Sequence, residues 1–435
     1  VTPPFQQSST PRTAGRRRWP WLLGLPLALA MIAGLLLTDG APASGDGDAP
    51  VAPGAMQAAM AEGVLKQVHR AALADAPAEV SASAAELAAL AAVASSGLQP
   101  DRVAIGVDEF GLHATASHAL PLGRWLNLTL EAGASTDGPP PLRLTVGSLT
   151  LPPAVARLAL RGAARLLRAR GFAVPDPATA VRWLRVSDAG MRAGVDLAGG
   201  SEPALATTGA PGGRESGAAA AYCRLAAEQR AQPSARFSVL VRRAFAGPAG
   251  DDPAAANRDA LVALAMLVVD PRVGMLAGVA PGETRGCWAD GTMAAIHGRN
   301  DSPKHWLMSA ALAVTTGARL SQAAGEWKEL ADSVSGQSEF RPGDASGFSF
   351  VDIGADRAGE LIALAAVDPA RADAVRAALA RADDAALMPR ALLALGDGMS
   401  AQVFARDYGS VEDPRYRAVR ARIDAEIRAG TPAGQ

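Results

Sequence analysis

The residues of this chain best able to do chemistry together are His305, Glu329, Asp332, Asp352 and Asp356, which fall within about fifty residues of one another in its last third. One imidazole with several carboxylates is a ligand set for a divalent cation such as zinc, manganese or iron, with His305, Glu329, Asp352 and Asp356 as the ligands. The same groups can act as acids and bases around a polarised water. Against a metal stands the absence of a spacing such as H-E-x-x-H, and His297 is only a spare ligand. Lys328, Arg357 and Arg258 are the cations that would pair with the carboxylates if the cluster were purely structural.

Three helices must carry these residues. Asp301-Ser302-Pro303-Lys304-His305 reads as a helix start, with Ser302 as N-cap, Pro303 at the first helical position and His305 in the first turn. The positive end of the helix dipole disfavours an imidazolium there, so His305 is expected to be neutral. The next helix begins near Ser321. Trp327, Leu330, Ala331 and Val334 fall on one side of it, and Gly325, Glu329 and Asp332 on the other. Lys328 lies one turn before Asp332, so an i,i+4 ion pair is the plain use for both. In the third helix Ser349 and Asp352 resemble a capping box. There Asp352, Ala355, Asp356, Gly359 and Ala363 form a narrow acidic and small-residue stripe on an otherwise apolar helix, a pattern that predicts burial against another helix.

The rest of the chain sets the context for these helices. Its 435 residues, 49% of them hydrophobic and 20% charged, are enough for two or three domains with sizeable cores. A net charge of -1 gives no global attraction to nucleic acid or anionic lipid. Residues 1–18 form a basic tail ending in Arg16-Arg17-Arg18, and residues 19–37 an apolar run about as long as a bilayer is thick, expected to be a transmembrane anchor with the body outside the bacterial inner membrane, in the periplasm. The alternative is a cleaved signal peptide, since Ala41-Pro42-Ala43 resembles a cleavage site; both export the same body. Residues 38–54 read as a linker. Residues 55–198 read as an α+β module, helical to about Ser96. Its expected strands are Val103–Val107, Leu112–Ala119, Trp125–Glu131, Leu142–Leu151 and Val181–Val186, with Met191–Leu197 as a further candidate, and a basic amphipathic helix at Pro153–Arg170 interrupts them. Residues 199–217 are a second linker, and 218–430 read as a helical domain holding the His/Glu/Asp cluster. The expected fold class is therefore α+β: an N-terminal transmembrane helix, a mixed α+β module, then a mainly α-helical C-terminal domain. In an oxidising compartment Cys223 and Cys287 can pair; otherwise they are two small buried side chains.

The order His305, then Lys328-Glu329-x-x-Asp332, then Phe348-Ser349-x-x-Asp352-x-x-Ala355-Asp356-x-x-Gly359 resembles the helical pattern of YfiM-like bacterial envelope lipoproteins and, more distantly, of VanZ-like membrane proteins. The stretch from Ala255 to about Ile427 also resembles a group of bacterial proteins with the same two-part layout. The chain departs from the pattern in its long polar insertion, Ser333 to Gly347, and VanZ-like proteins place these helices in the bilayer. The resemblance implies a site at these residues and brings no established activity with it.

Two readings follow. In the first, the chain is a membrane-anchored envelope protein with a structural, lipid-binding or interaction role: the cluster fixes helix packing and the basic helix faces lipid or an envelope protein partner. In the alternative, it is a metal-dependent hydrolase-like enzyme that uses the cluster on an envelope substrate. The sequence contains no nucleophile elbow, Walker loop, dinucleotide fingerprint or metal-binding cysteine pattern.

Overall fold

Alternation of apolar and polar side chains builds two antiparallel sheets in the first half of the chain. The computed structural model describes residues 37–43, 53–74, 76–97, 101–169, 176, 179–197, 217–247, 249–280, 282–287, 292–335 and 347–434. After helix α1 (Ala55–Leu73) come β1 (Ala78–Ser83), α2 (Ala84–Gly97), β2 (Arg102–Asp108), β3 (Gly111–Ala119), β4 (Trp125–Gly133), β5 (Leu142–Val146), β6 (Leu149–Leu151), α3 (Pro153–Ala169), β7 (Val181–Ser187) and β8 (Gly190–Val195). One sheet is a meander in the order β2-β3-β4-β5-β6, and the other has the order β1-β8-β7.

Register separates the two faces of the larger sheet. Ile105, Ala114, Leu130, Leu144 and Leu151 lie opposite one another in one cross-strand row, and the next row, on the other face, holds Thr115, Thr129, Thr145 and Thr150. Helix α2 covers the β2 side and α3 packs on β5. Val64, Ala82 and Leu87 are buried where α1, α2 and both sheets meet, with Ile105, Leu112 and Met191 against them.

Two readings of this half need correction. The stretch Leu142–Leu151 is a hairpin rather than one strand, because Gly147, at φ 58°, turns the chain back on itself. Strand β1 lies inside the stretch read as helical: its Ala, Ser and Glu residues carry little strand propensity, and its partner β8 arrives more than a hundred residues later. Part of the expected linker is also seated, since Asp39 and Trp125 exchange backbone hydrogen bonds of 2.8 and 2.9 Å and Asn127 donates to Asp39 Oδ2 at 2.7 Å.

The second half is helical: α4 (Gly217–Ala231), α5 (Phe237–Phe245), α6 (Pro253–Val268), α7 (Ser302–Thr316), α8 (Ala318–Ser335), α9 (Phe350–Val367), α10 (Ala372–Leu379), α11 (Asp384–Leu387), α12 (Ala401–Tyr408) and α13 (Pro414–Gly430). Helix α6 is the central post; Asp252 caps it through the Ala255 N–H, Pro253 takes its first position, and Ala260 to Leu264 are almost wholly buried. Phe348, Phe350, Phe404, Tyr408 and Tyr416 interlock at the start of α9 and hold α12 and α13 there. Helix α8 is the seam between the two halves. Its Trp327 packs among Ala61, Ala89 and Val93 of α1 and α2, and the indole N–H donates to Ser96 Oγ at 3.1 Å.

Among the described residues no helix is long and apolar enough to cross a membrane. This corrects the expected fold class, which included a transmembrane helix. The longest described helices, α1, α8 and α9 with 19, 18 and 18 residues, each carry at least three charged side chains. Residues 1–36, with the basic tail and nearly all of the apolar run, lie outside the described residues, as do 44–52 and 198–216 of the linkers.

Cys223 of α4 and Cys287 form a disulfide across 64 residues of sequence. A loop of that size predicts about 4 kcal/mol of stabilisation. A Cys223→Ser/Cys287→Ser variant should unfold in urea with that much less free energy; two thiols titrating in the native protein would show that the bond does not form.

Candidate functional site

The site depends on how closely α7 and α9 approach. A Cβ on Gly359 would lie 1.9 Å from the Trp306 carbonyl oxygen, so only glycine lets the two backbones meet there. Gly325 does the same for α8, where a Cβ would lie 2.7 Å from Asp356 Oδ2. These two glycines bring His305 of α7, Glu329 of α8 and Asp356 of α9 into one buried space.

Within that space His305 Nδ1 lies 3.4 Å from the Asp356 carboxylate and 3.9 Å from Glu329 Oε1, while Nε2 on the opposite side of the ring lies 3.8 Å from Asp352 Oδ2. Ser309, one turn after His305, donates to Asp356 Oδ1 at 2.8 Å. Glu329 Oε2 accepts the Ser349 N–H at 3.0 Å, which completes the cap of α9 from another helix: Ser349 Oγ accepts from Asp352 N as the sequence implies, and the reciprocal bond comes from Glu329. Glu329 Oε1 is buried with no hydrogen-bond partner among the described residues.

Negative charge dominates. Among the described residues six carboxylates, Asp301, Glu329, Asp332, Asp352, Asp356 and Asp397, gather around Arg299, Lys328 and His305. Arg299 holds Asp301, Asp352 and Asp397 at 2.8, 3.3 and 2.8 Å, and Lys328 holds Asp332 at 2.6 Å with Glu329 at 3.7 Å. The third is His305, and here the expectation of a neutral ring fails. Burial and the helix N-terminus both oppose the imidazolium, yet the Asp356 and Asp352 carboxylates outweigh them and hold the pKa up at about 9. Burial raises the Glu329 carboxyl well above its usual range, with Asp352 adding to the effect. Burial likewise raises Asp352, partly opposed by His305. Lys328 is held charged by Glu329 and Asp332 against its own desolvation.

One atom from each of His305, Glu329 and Asp356 can be chosen so that all three lie within 4.8 Å of one another. Ligands on a tetrahedral ion with bonds near 2 Å are about 3.3–3.5 Å apart, so the 3.4 and 3.9 Å separations need only a small inward movement. The set is three ligands, two carboxylates and one imidazole.

The other sequence candidates divide. Asp352 faces the far ring nitrogen and Arg299, outside the three-ligand group but placed to receive the Nε2 proton when Nδ1 is a ligand. Asp332 and Lys328 form the plain i,i+4 pair. Arg357 points away to Asp424 and Glu360, at 2.7 and 2.6 Å. Arg258 is exposed on α6 beside Asp259, whose carboxyl burial raises above its usual range against the opposing pull of Arg258. His297 bonds the Met388 carbonyl at 2.7 Å. Asp301 rather than Ser302 is the N-cap of α7, its carboxylate accepting the Ser302 N–H at 2.8 Å. Ser309 and Arg299 went unread; Ser309 was accessible from its i+4 relation to His305, whereas nothing local marks Arg299.

A Gly359→Ala substitution should cost about 3 kcal/mol by forcing α7 and α9 apart, read as a loss of unfolding free energy in denaturant. Metal-free protein should also be less stable in alkali. His305 rises from 6.5 when unfolded to about 9 when folded, so its contribution is complete below about pH 6.5 and is lost as the pH climbs through 9. The raised Glu329 pKa acts in the same direction. Melting temperature in chelator should fall over that window, and His305→Gln should flatten the fall. Comparisons with protein-family models, curated proteins and solved structures return no match to this chain.

Proposed function

We propose that the helical domain is a metal-dependent, hydrolase-like enzyme with a single divalent ion held by His305 Nδ1, Glu329 and Asp356. The observation that carries this reading is the buried Glu329 Oε1, which has no hydrogen-bond partner among the described residues, only Lys328 at 3.7 Å and the His305 imidazole at 3.9 Å, and which shares its space with a second carboxylate. A packing network that merely holds helices in register is expected to satisfy all its members, because a half-satisfied buried network costs more than an apolar core. That difference ranks the structural reading second. Among the described residues five carboxylates, Asp301, Glu329, Asp332, Asp352 and Asp356, are buried or nearly so beside only Arg299, Lys328 and His305, which supports the same choice, since a divalent cation offsets the surplus.

A set of one imidazole and two carboxylates suits zinc, manganese or iron(II), and three protein ligands leave a position open. When bound, such an ion supplies a Lewis acid that activates water at neutral pH. The chain's own groups prepare the place. Asp352, 3.8 Å from Nε2, would favour the tautomer that leaves Nδ1 free to ligate once the pair closes to hydrogen-bond distance. Ser309 fixes the Asp356 carboxylate, and the Ser349 N–H fixes that of Glu329. Lys328 pairs with Asp332 at 2.6 Å and stands 3.7 Å from Glu329 Oε1.

The test is metal analysis of the purified protein after exposure to zinc, manganese and iron(II) followed by dialysis. Wild type should retain one equivalent of one of them and melt at a higher temperature than its chelated form. Glu329→Gln and Asp356→Asn should each lower retention by at least tenfold. Absence of retained metal in folded wild type, or full retention by both variants, would falsify the assignment.

A further inference from the structure

Helix α3 has a surface that neither sheet nor helical domain covers. Its 17 residues contain no acidic side chain. Ala156 and Ala164, a face of small side chains, are buried where the helix packs on the sheet. On the opposite face Val155, Leu158 and Leu166 are 46, 66 and 54% exposed. Arg157, Arg161 and Arg165, four residues apart, line up beside them and are exposed as well. Strand β6 leads directly into this helix, and the ends of the cross-strand row Leu128–Val146–Leu149 are open to solvent too.

A single exposed leucine is ordinary. Three large apolar side chains on the outward face of one helix, flanked by a row of exposed arginines, are not, and the two features require different things of a partner. The leucines need a non-polar phase a few ångströms deep, and the arginines need a dense layer of anions above it. An acidic protein groove offers the charge without a fluid apolar layer, whereas a bilayer rich in anionic phospholipid supplies both at the same depth along the whole helix. We propose that α3 docks the α+β module onto the surface of an anionic phospholipid bilayer, lying parallel to it with Val155, Leu158 and Leu166 below the headgroups and the arginines among the phosphates.

The test places an environment-sensitive NBD fluorophore on a Leu158→Cys variant of the full chain, whose native cysteines are paired with each other. Phosphatidylcholine vesicles containing phosphatidylglycerol should shift the emission to the blue, high salt should weaken the response, and phosphatidylcholine alone should give little. Arg157→Glu, Arg161→Glu and Arg165→Glu together should lower the apparent partition coefficient about a hundredfold or more with the melting temperature unchanged. The proposal is overturned if the probe stays aqueous while the protein co-sediments with anionic vesicles, because another segment then does the docking. It is equally overturned by an identical response to both vesicle types, or by a blue shift that grows with protein concentration in lipid-free buffer, which would make a second copy of the chain the occupant.

Discussion

Burying negative charge is the constraint on which the helical domain is built. Carboxylates in a dry interior are costly unless each finds a cation, a proton or a hydrogen-bond donor. The domain divides this burden by position. Arg299 takes the outer carboxylates, Lys328 takes Asp332, and Ser309 and the Ser349 N–H each take one oxygen of the inner pair. What remains is concentrated at a single point between His305, Glu329 and Asp356, whose ligand atoms lie within 4.8 Å of one another. The raised imidazole pKa reflects the Asp356 and Asp352 carboxylates beside the ring, and the raised Glu329 pKa reflects first its burial and then Asp352.

That concentration is possible only because side-chain volume has been removed around it. Gly359 and Gly325 are poor helix formers kept within helices, and each lies against an atom that any Cβ would displace. The apolar shell formed by Trp306, Phe237 and the long run on α6 holds the helices together without help from the polar cluster, so the cluster need not be the source of the domain's stability. Most of the apolar packing and the candidate chemistry therefore rest on different residues, although they share the same three helices.

How much of this was legible depends on the range of the interactions involved. The three helices, their polar faces and the opposition of Trp327 to Glu329 follow from periodicity, which is local, and the meeting of His305 with Glu329 and Asp356 follows from the small-residue stripe. The protonation of His305 does not. The dipole argument considers one helix, while the ring's charge is set by two carboxylates from another. Likewise the capping box at Ser349 was read from Asp352 alone, and the second half of it arrives from Glu329, twenty residues earlier in sequence. Strand β1 was missed for the same reason, being defined by a partner beyond any local window. Arg357 was assigned to the cluster by proximity in sequence, but it follows Asp356 directly and so points to a different side of α9.

The position of α8 has a consequence for what counts as part of the site. Trp327 and Glu329 are two residues apart on one helix, the first embedded in α1 and α2, the second in the acidic space. The site thus has no private wall on that side; its wall is the seam between the two halves of the chain. Gly97, whose Cβ would press to 2.8 Å from the Trp327 ring, belongs to the site's geometry although it touches none of its charged groups. The α+β module and the helical domain differ in composition and architecture, but at this helix they are a single mechanical part, and the fit of one half against the other helps to place Glu329 beside His305.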